Sequence, residues 1–216
     1  MRFALTKDHL DFFYRNHYIE FEDLLTLEDV LSLEEAVEDV LTKRMGKNRN
    51  PKKVYLAGSH CWQDDPRITK AVLSPRLAEI VSQLTKERTL RLASSQILSG
   101  SLSEEKVFNE PMPLENLCSV QKVSCGVILH LSSSEELDDP QPKKPGSATF
   151  FSTRLPISFD YLTKTSQLTQ LFFIYSVENA LYTLTPTDPH THALKKLGYG
   201  FGDHVRPDTH PIAITP

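Results

Sequence analysis

Apolar positions in the first third of the chain recur at helical spacing, and in the latter part they fall in short β-rich runs. Thr6 caps a predicted helix over about 7–16, with Leu10, Phe13 and Tyr14 on its buried face. His17–Phe21 is short and rich in aromatic and β-branched residues, which predicts a strand. Thr26-Leu-Glu-Asp29 and Ser32-Leu-Glu-Glu35 both carry capping-box spacing. Leu33, Ala36, Val37, Val40 and Leu41 then form one stripe, so a helix over about 33–44 follows. Gly46–Pro51 is a turn-rich basic loop, and 52–57 has the makings of a short strand.

Asp65–Leu73 predicts another short helix, and Ser74-Pro75 opens the next, with Leu77, Ile80, Val81 and Leu84 inward. From Thr89 the pattern changes. Strands are expected over Thr89–Leu98, with Leu90, Leu92 and Ile97 inward, and then over Ser119–Leu131, Ser147–Leu155 and Leu168–Leu184. The last of these reads as two strands turning at Glu178-Asn179. The polar segments 99–116 and 132–146 read as a loop and an exposed excursion. Residues 189–198 fit a short helix.

Helices first and strands afterwards, without alternation, predict an α+β fold with a mostly antiparallel sheet. Six to eight strands suit a jelly-roll-like double sheet, a double-stranded β-helix with N-terminal helices packed on it. One domain over 1–216 is expected: a helical layer over 1–88, a strand core over 89–184 and a C-terminal cap over 185–216.

Composition narrows the class. The 216 residues are 39% hydrophobic and 24% charged, ordinary for a globular protein. A net charge of −4 gives no general attraction to nucleic acid or anionic membrane. No apolar run reaches the roughly 18–20 residues that span a bilayer, and the start of the chain reads as no signal peptide. Three cysteines, Cys61, Cys118 and Cys125, fit free thiols in a reducing compartment, so a cytoplasmic protein is expected.

The order of these segments resembles the phytanoyl-CoA hydroxylase-like branch of the Fe(II)/2-oxoglutarate dioxygenases. Phe12–Leu25 is similar to that family's opening helix and strand, and Leu31–Glu35 to the start of its next helix. Leu73–Val81 resembles its second helical layer, and Ser124–Ser132 its central strand. Pro145-Gly-Ser-Ala-Thr-Phe-Phe151 resembles a later glycine-led strand. The resemblance implies a double-stranded β-helix, with Fe(II) and 2-oxoglutarate as the cofactors of an active member. Iron there is held by two histidines and one carboxylate, which leave positions open for oxygen and cosubstrate.

This chain departs from that pattern. The first histidine and the carboxylate belong in a window at about 104–120, which contains no histidine and offers Asn109, Glu110 and Glu115. The distal histidine belongs between about 150 and 175, yet no histidine lies between His130 and His190. An arginine for the 2-oxoglutarate carboxylate should follow, yet none lies between Arg154 and Arg206, leaving Lys164 as a point-charge substitute.

The remaining chemistry is scattered histidine. His60-Cys-Trp-Gln-Asp64 offers a ligand spacing, against the plainer reading of a buried Trp62 anchor in a polar loop. His130 ends the central strand, where a hydrogen-bonded structural histidine is the usual occupant. Asp188-Pro-His-Thr-His192, with Asp203-His204 and His210, is the densest histidine group. On a short helix His190 and His192 point apart, which works against a shared ion. Cys118 and Cys125 fall on opposite faces of a regular strand. The metal candidates are therefore His190, His192, His60 and His130.

Three functions follow. One is a diverged oxygenase-fold protein without the iron triad, binding a small molecule or a protein. A second is an Fe(II)/2-oxoglutarate hydroxylase with unconventional ligands. A third is a metal-responsive DNA-binding regulator built on the helices at 66–86, with Arg76, Lys86 and Arg88 nearby.

Overall fold

The computed structural model describes residues 4–47, 50, 53–99, 110–132, 144–159 and 168–215. The excursion over 132–146, the loop over 99–116 and Lys164 therefore lie wholly or largely outside the described residues.

Helix α1 (Lys7–Asn16) begins at Thr6, whose side chain accepts from the His9 amide, and the His9 ring accepts from the Thr6 amide in return. Only Phe13 of its apolar residues is fully buried. Tyr14, expected inside, is exposed and stacks under the Lys86 ammonium, because α1 lies at the rim and offers the core a narrow face. Strand β1 (Tyr18–Phe21) follows as expected.

Helix α2 (Leu27–Met45) starts six residues before the predicted 33. Thr26 and Asp29 exchange the two hydrogen bonds of a capping box, so the first of the two capping signals sets the start. Its stripe Val30, Leu33, Ala36, Val37, Val40 and Leu41 is buried. The strand expected over 52–57 is replaced by helix α3 (Val54–Gly58). The run was too short for periodicity to separate strand from helix. Helices α4 (Pro66–Val72) and α5 (Pro75–Thr85) each carry proline in the first turn, as read from the sequence.

The strands are β2 (Leu90–Ser99), β3 (Val123–His130), β4 (Ala148–Ser152), β5 (Thr169–Val177) and, after helix α6 (Thr191–Lys196), β6 (Ile212–Ile214). They form one antiparallel sheet in the order β1-β4-β3-β5-β2-β6. Residues 178–179 turn as expected, but Leu181 and Tyr182 make only isolated bridges, to His204 and Val120. The second layer is represented among the described residues by such bridges, including Met112–Ile157.

The register gives the sheet two distinct faces. Ile19, Phe150, Val127, Phe173 and Tyr175 share one face, toward the helices, and the Tyr175 hydroxyl donates to the Val72 carbonyl at 2.7 Å. A bulge between Leu92 and Ser94 shifts β2 by one residue, so Leu92 and Ile97 reach the same side despite their odd spacing. The other, inner face carries Gly126, Ile128, His130, Thr149, Gln170 and Phe172. One apolar cluster runs from Phe13 to Val205 through both layers.

Candidate functional site

The inner face is where the sequence resemblance places iron. Leu114, in the short 3-10 turn Leu114–Asn116, is fully buried and lies so close to Gly126 that a Cβ there would meet its Cδ2 at 2.7 Å. Phe159 packs edge-on against Phe172, with centroids 5.4 Å apart. Glu110 and Glu115 are exposed, and Asn109 and Lys164 lie outside the described residues. His130 is buried on this face, with Thr149 Oγ1 2.8 Å from its Nε2 and Gln170 Nε2 3.0 Å from its Nδ1. Both ring nitrogens are thus occupied, the structural role expected of a strand-end histidine. The described residues of this face do not fit an iron held by two histidines and a carboxylate.

The histidines gather elsewhere, at the β2–β6 edge of the sheet. Arg44, at the end of α2, shapes the segment that carries His60. Its guanidinium donates to the Ala57 and Ser59 carbonyls at 2.5 and 2.6 Å and pairs with Asp64. The His60 amide donates to the Ser95 carbonyl of β2 at 2.6 Å, and His60 takes a left-handed backbone with φ 47°. Arg91 of β2 donates to the His210 carbonyl at 2.6 Å and fixes the backbone two residues before β6. Asp188 accepts from the Ser119 and His190 amides at 2.7 and 2.8 Å and sets the start of α6.

These anchors bring three rings together. His60 and His190 stack with centroids 3.7 Å apart and planes 25° from parallel. His210 meets His60 edge-on at 6.1 Å. His60 is 2% exposed and His210 0%, whereas His190 is half-buried. Both ring nitrogens of His60 and Nε2 of His210 are buried without a hydrogen-bond partner.

Burial pushes all three imidazoles toward the neutral form, His210 down to about 3. The neighbouring histidines add to this at His60 and His210, and Asp188 opposes it at His190. Burial also raises the Asp188 carboxyl above its ordinary value, against its amide hydrogen bonds. Among the described residues, no group of three His, Cys, Asp or Glu side chains is placed so that it could hold a metal ion.

The sequence candidates thus divide. His60 and His190 come together, and His210 of the same histidine group joins them. His192 and His204 are exposed and take no part, as the opposed directions along α6 require. His130 stands on the inner face, on another strand. Trp62, expected as the buried anchor, is only partly buried, while His60 and Cys61 take the interior positions. Asp64 turns to Arg44 and Lys43. Nothing local in the sequence marks the convergence of residues as far apart as His60 and His210, or the part Arg44 plays in it.

All three cysteines are buried free thiols. Burial pushes Cys61 and Cys125 up to about 12 and Cys118 higher still, so none stands ready as a thiolate. Helices α4 and α5, the supposed DNA reader, back the sheet. Arg67 is held by Glu35, Asp39 and Asp65, and Arg76 donates to the Leu24 carbonyl at 2.9 Å.

The helical layer, the curled antiparallel sheet and its covered inner face define the jelly-roll fold of the 2-oxoglutarate-dependent oxygenases. Two similar structures come from nogalamycin biosynthesis. The non-heme alpha-ketoglutarate-dependent carbocyclase SnoK is 16% identical, with 96% of each chain covered and a TM-score of 0.66. The epimerase SnoN is 13% identical, with 97% of this chain and 96% of its own covered and a TM-score of 0.65. A third, CT296 from Chlamydia trachomatis, is 20% identical, with 82% of this chain and 97% of its own covered and a TM-score of 0.53. At these identities the likeness is one of fold. No protein-family profile matches the chain, and no curated protein matches it. No helix among the described residues is long and apolar enough to cross a membrane.

Proposed function

We propose that this chain uses the oxygenase scaffold as a binding or regulatory module, without the iron chemistry of that fold. The observation that carries this reading is the packing of Leu114 against Gly126 and of Phe159 against Phe172 on the inner face. Dispersion contacts of Leu114 and Phe159 cover this part of the inner face with apolar side chains rather than with polar ligands. His130, the imidazole on that face, is committed to Thr149 and Gln170. The phytanoyl-CoA hydroxylase-like branch is the ancestry we favour, on the sequence order around Leu73–Val81 and Ser124–Ser132.

The test is succinate release from 2-oxoglutarate by anaerobically iron-loaded protein on exposure to oxygen. Release equal to a no-protein control is expected. Release that disappears on a His→Ala change supports the second reading, a hydroxylase with unconventional ligands. That reading draws on the extent of the SnoK likeness, 96% of both chains.

A further inference from the structure

Away from the inner face and from the histidine cluster, a cleft of about 480 Å3 opens on the helix side of the sheet. It lies where the ends of α1 and α5 meet the start of β3 and the end of β4. Phe13 and Leu84, both buried, form its floor, and Tyr14, His17, Ser124 and Arg154 stand around it. We infer that this cleft binds a small organic oxyanion, with its carboxylate or phosphate at Arg154 and its apolar body over Phe13, Leu84 and Tyr14.

The first support is the imbalance of the polar lining. Arg154 is exposed, and among the described residues its guanidinium has neither ion pair nor hydrogen bond; only its amide is engaged, donating to Ser152 Oγ at 3.1 Å. A guanidinium carries five donors and no acceptor, in a fork that matches a carboxylate or a phosphate. Among the described residues no carboxylate lines the cleft, and the Ser124 and Thr153 hydroxyls have no protein partner. Lys86, over the Tyr14 ring at 5.5 Å, adds a second cation at the rim. Helix C-termini favour cations, but the end carbonyls of these two helices are already engaged. The Phe12 and Phe13 carbonyls accept from Asn16 Nδ2 and the His17 amide, and those of Val81 and Ser82 from Thr85 Oγ1 and the Lys86 amide.

The second support is shape. Val123 pairs with Ser176 and Cys125 with Tyr175, so Ser124 is the extra residue of a bulge, a device that re-aims a side chain. His17 takes a left-handed backbone with φ 63°, and its carbonyl accepts from the Ser152 amide at 2.9 Å, which ties the end of α1 to β4. Tyr14, on the apolar stripe of α1, is left 43% exposed beside the cleft, where a ligand ring can cover it. Small-molecule sites of roughly 300–1,000 Å3 combine such an apolar floor with a few polar groups.

The test titrates untagged full-length protein calorimetrically with benzoate and with phenyl phosphate, and with benzyl alcohol and inorganic phosphate as the separate halves. One benzoate or phenyl phosphate per chain, with Kd below about 1 mM, is expected. Tighter benzoate points to a carboxylate ligand and tighter phenyl phosphate to a phosphate ester. Arg154→Gln should weaken binding at least about fivefold. Its melting temperature should match that of the parent chain, because the side chain is exposed. Thr153→Trp should block the cleft with Arg154 in place, and Lys195→Gln, on α6, should change nothing. The proposal is overturned if neither anion binds, or if binding survives Arg154→Gln. It is also overturned if benzyl alcohol binds as tightly as benzoate, or inorganic phosphate as tightly as phenyl phosphate. The proposal rests on the binding-module reading for its biological role alone, and succinate release tests that reading separately.

Discussion

Gly58, the last residue of α3, lies against Ile97 of β2 so closely that a Cβ on it would sit 2.9 Å from the Ile97 carbonyl oxygen and 2.9 Å from the Ile97 Cβ. This approach lets Ser59 bridge Gln96 and the His60 amide reach Ser95. Gly58→Ala meets backbone and a β-branched side chain, neither of which can swing away. It should cost about 1–3 kcal/mol and displace His60 from its stack. Thermal melting checks the cost, and the His60 and His190 ring NMR signals check the displacement. An unchanged melt with unchanged ring shifts would contradict the close packing.

Val37 is 3% exposed in the stripe of α2. Val37→Asp buries a carboxylate among apolar neighbours and should destabilise the chain by about 3–5 kcal/mol. The nearby exposed Glu38→Gln should change stability by less than about 0.5 kcal/mol. Denaturant unfolding of the pair compares them directly. Equal effects would mean that the stripe does not face the core.

Acid should destabilise this fold through its buried histidines. The folded-state values of His60, His190 and His210 lie below the ordinary 6.5, that of His210 at about 3. Well above pH 6.5 the rings are neutral in both folded and unfolded chains and contribute no pH dependence. As pH falls from about 6.5 toward 3, the unfolded chain takes up protons that the folded chain refuses, and stability drops. His210 alone accounts for a loss on the order of 4 kcal/mol at the bottom of that window. Unfolding measured across pH 4–8 should show this slope, and His210→Gln should flatten part of it. An identical slope in the variant would rule out His210 as a source.

Filling of the inner face makes a further expectation. Leu114→Ala should open space beside Gly126 and destabilise by about 2–5 kcal/mol, since Leu114 is fully buried. It should not create 2-oxoglutarate turnover, because no histidine on that face gains a free nitrogen. Combining it with Gly126→Ala should be less costly than the sum of the single changes, because the added methyl occupies vacated space. Strict additivity of the two costs would deny the contact. Succinate release by Leu114→Ala protein would show that bulk alone, and not the ligand set, keeps the site silent.

Much of the helical layer was determined locally. Thr6, Thr26, Asp65 and Pro75 announce helix starts through chemistry confined to one turn, and the stripe from Leu33 to Leu41 names its own buried face. The strands of the sheet announce themselves by β-branched and aromatic runs. The absence of histidine between His130 and His190 already separates this chain from the iron pattern it resembles. What the sequence left open depends on neighbours far along the chain. Residues 54–58 became helix by packing on β2, and Tyr14 became exposed because α1 lies at the rim. The bulge that brings Leu92 and Ile97 to one face is defined only by pairing with β5. His60, His190 and His210 meet because Arg44, Ser95, Asp188 and Arg91 fix three separate backbone segments. Helical and strand periods reach only a few residues, so a cluster assembled across 150 positions is the work of tertiary contacts alone.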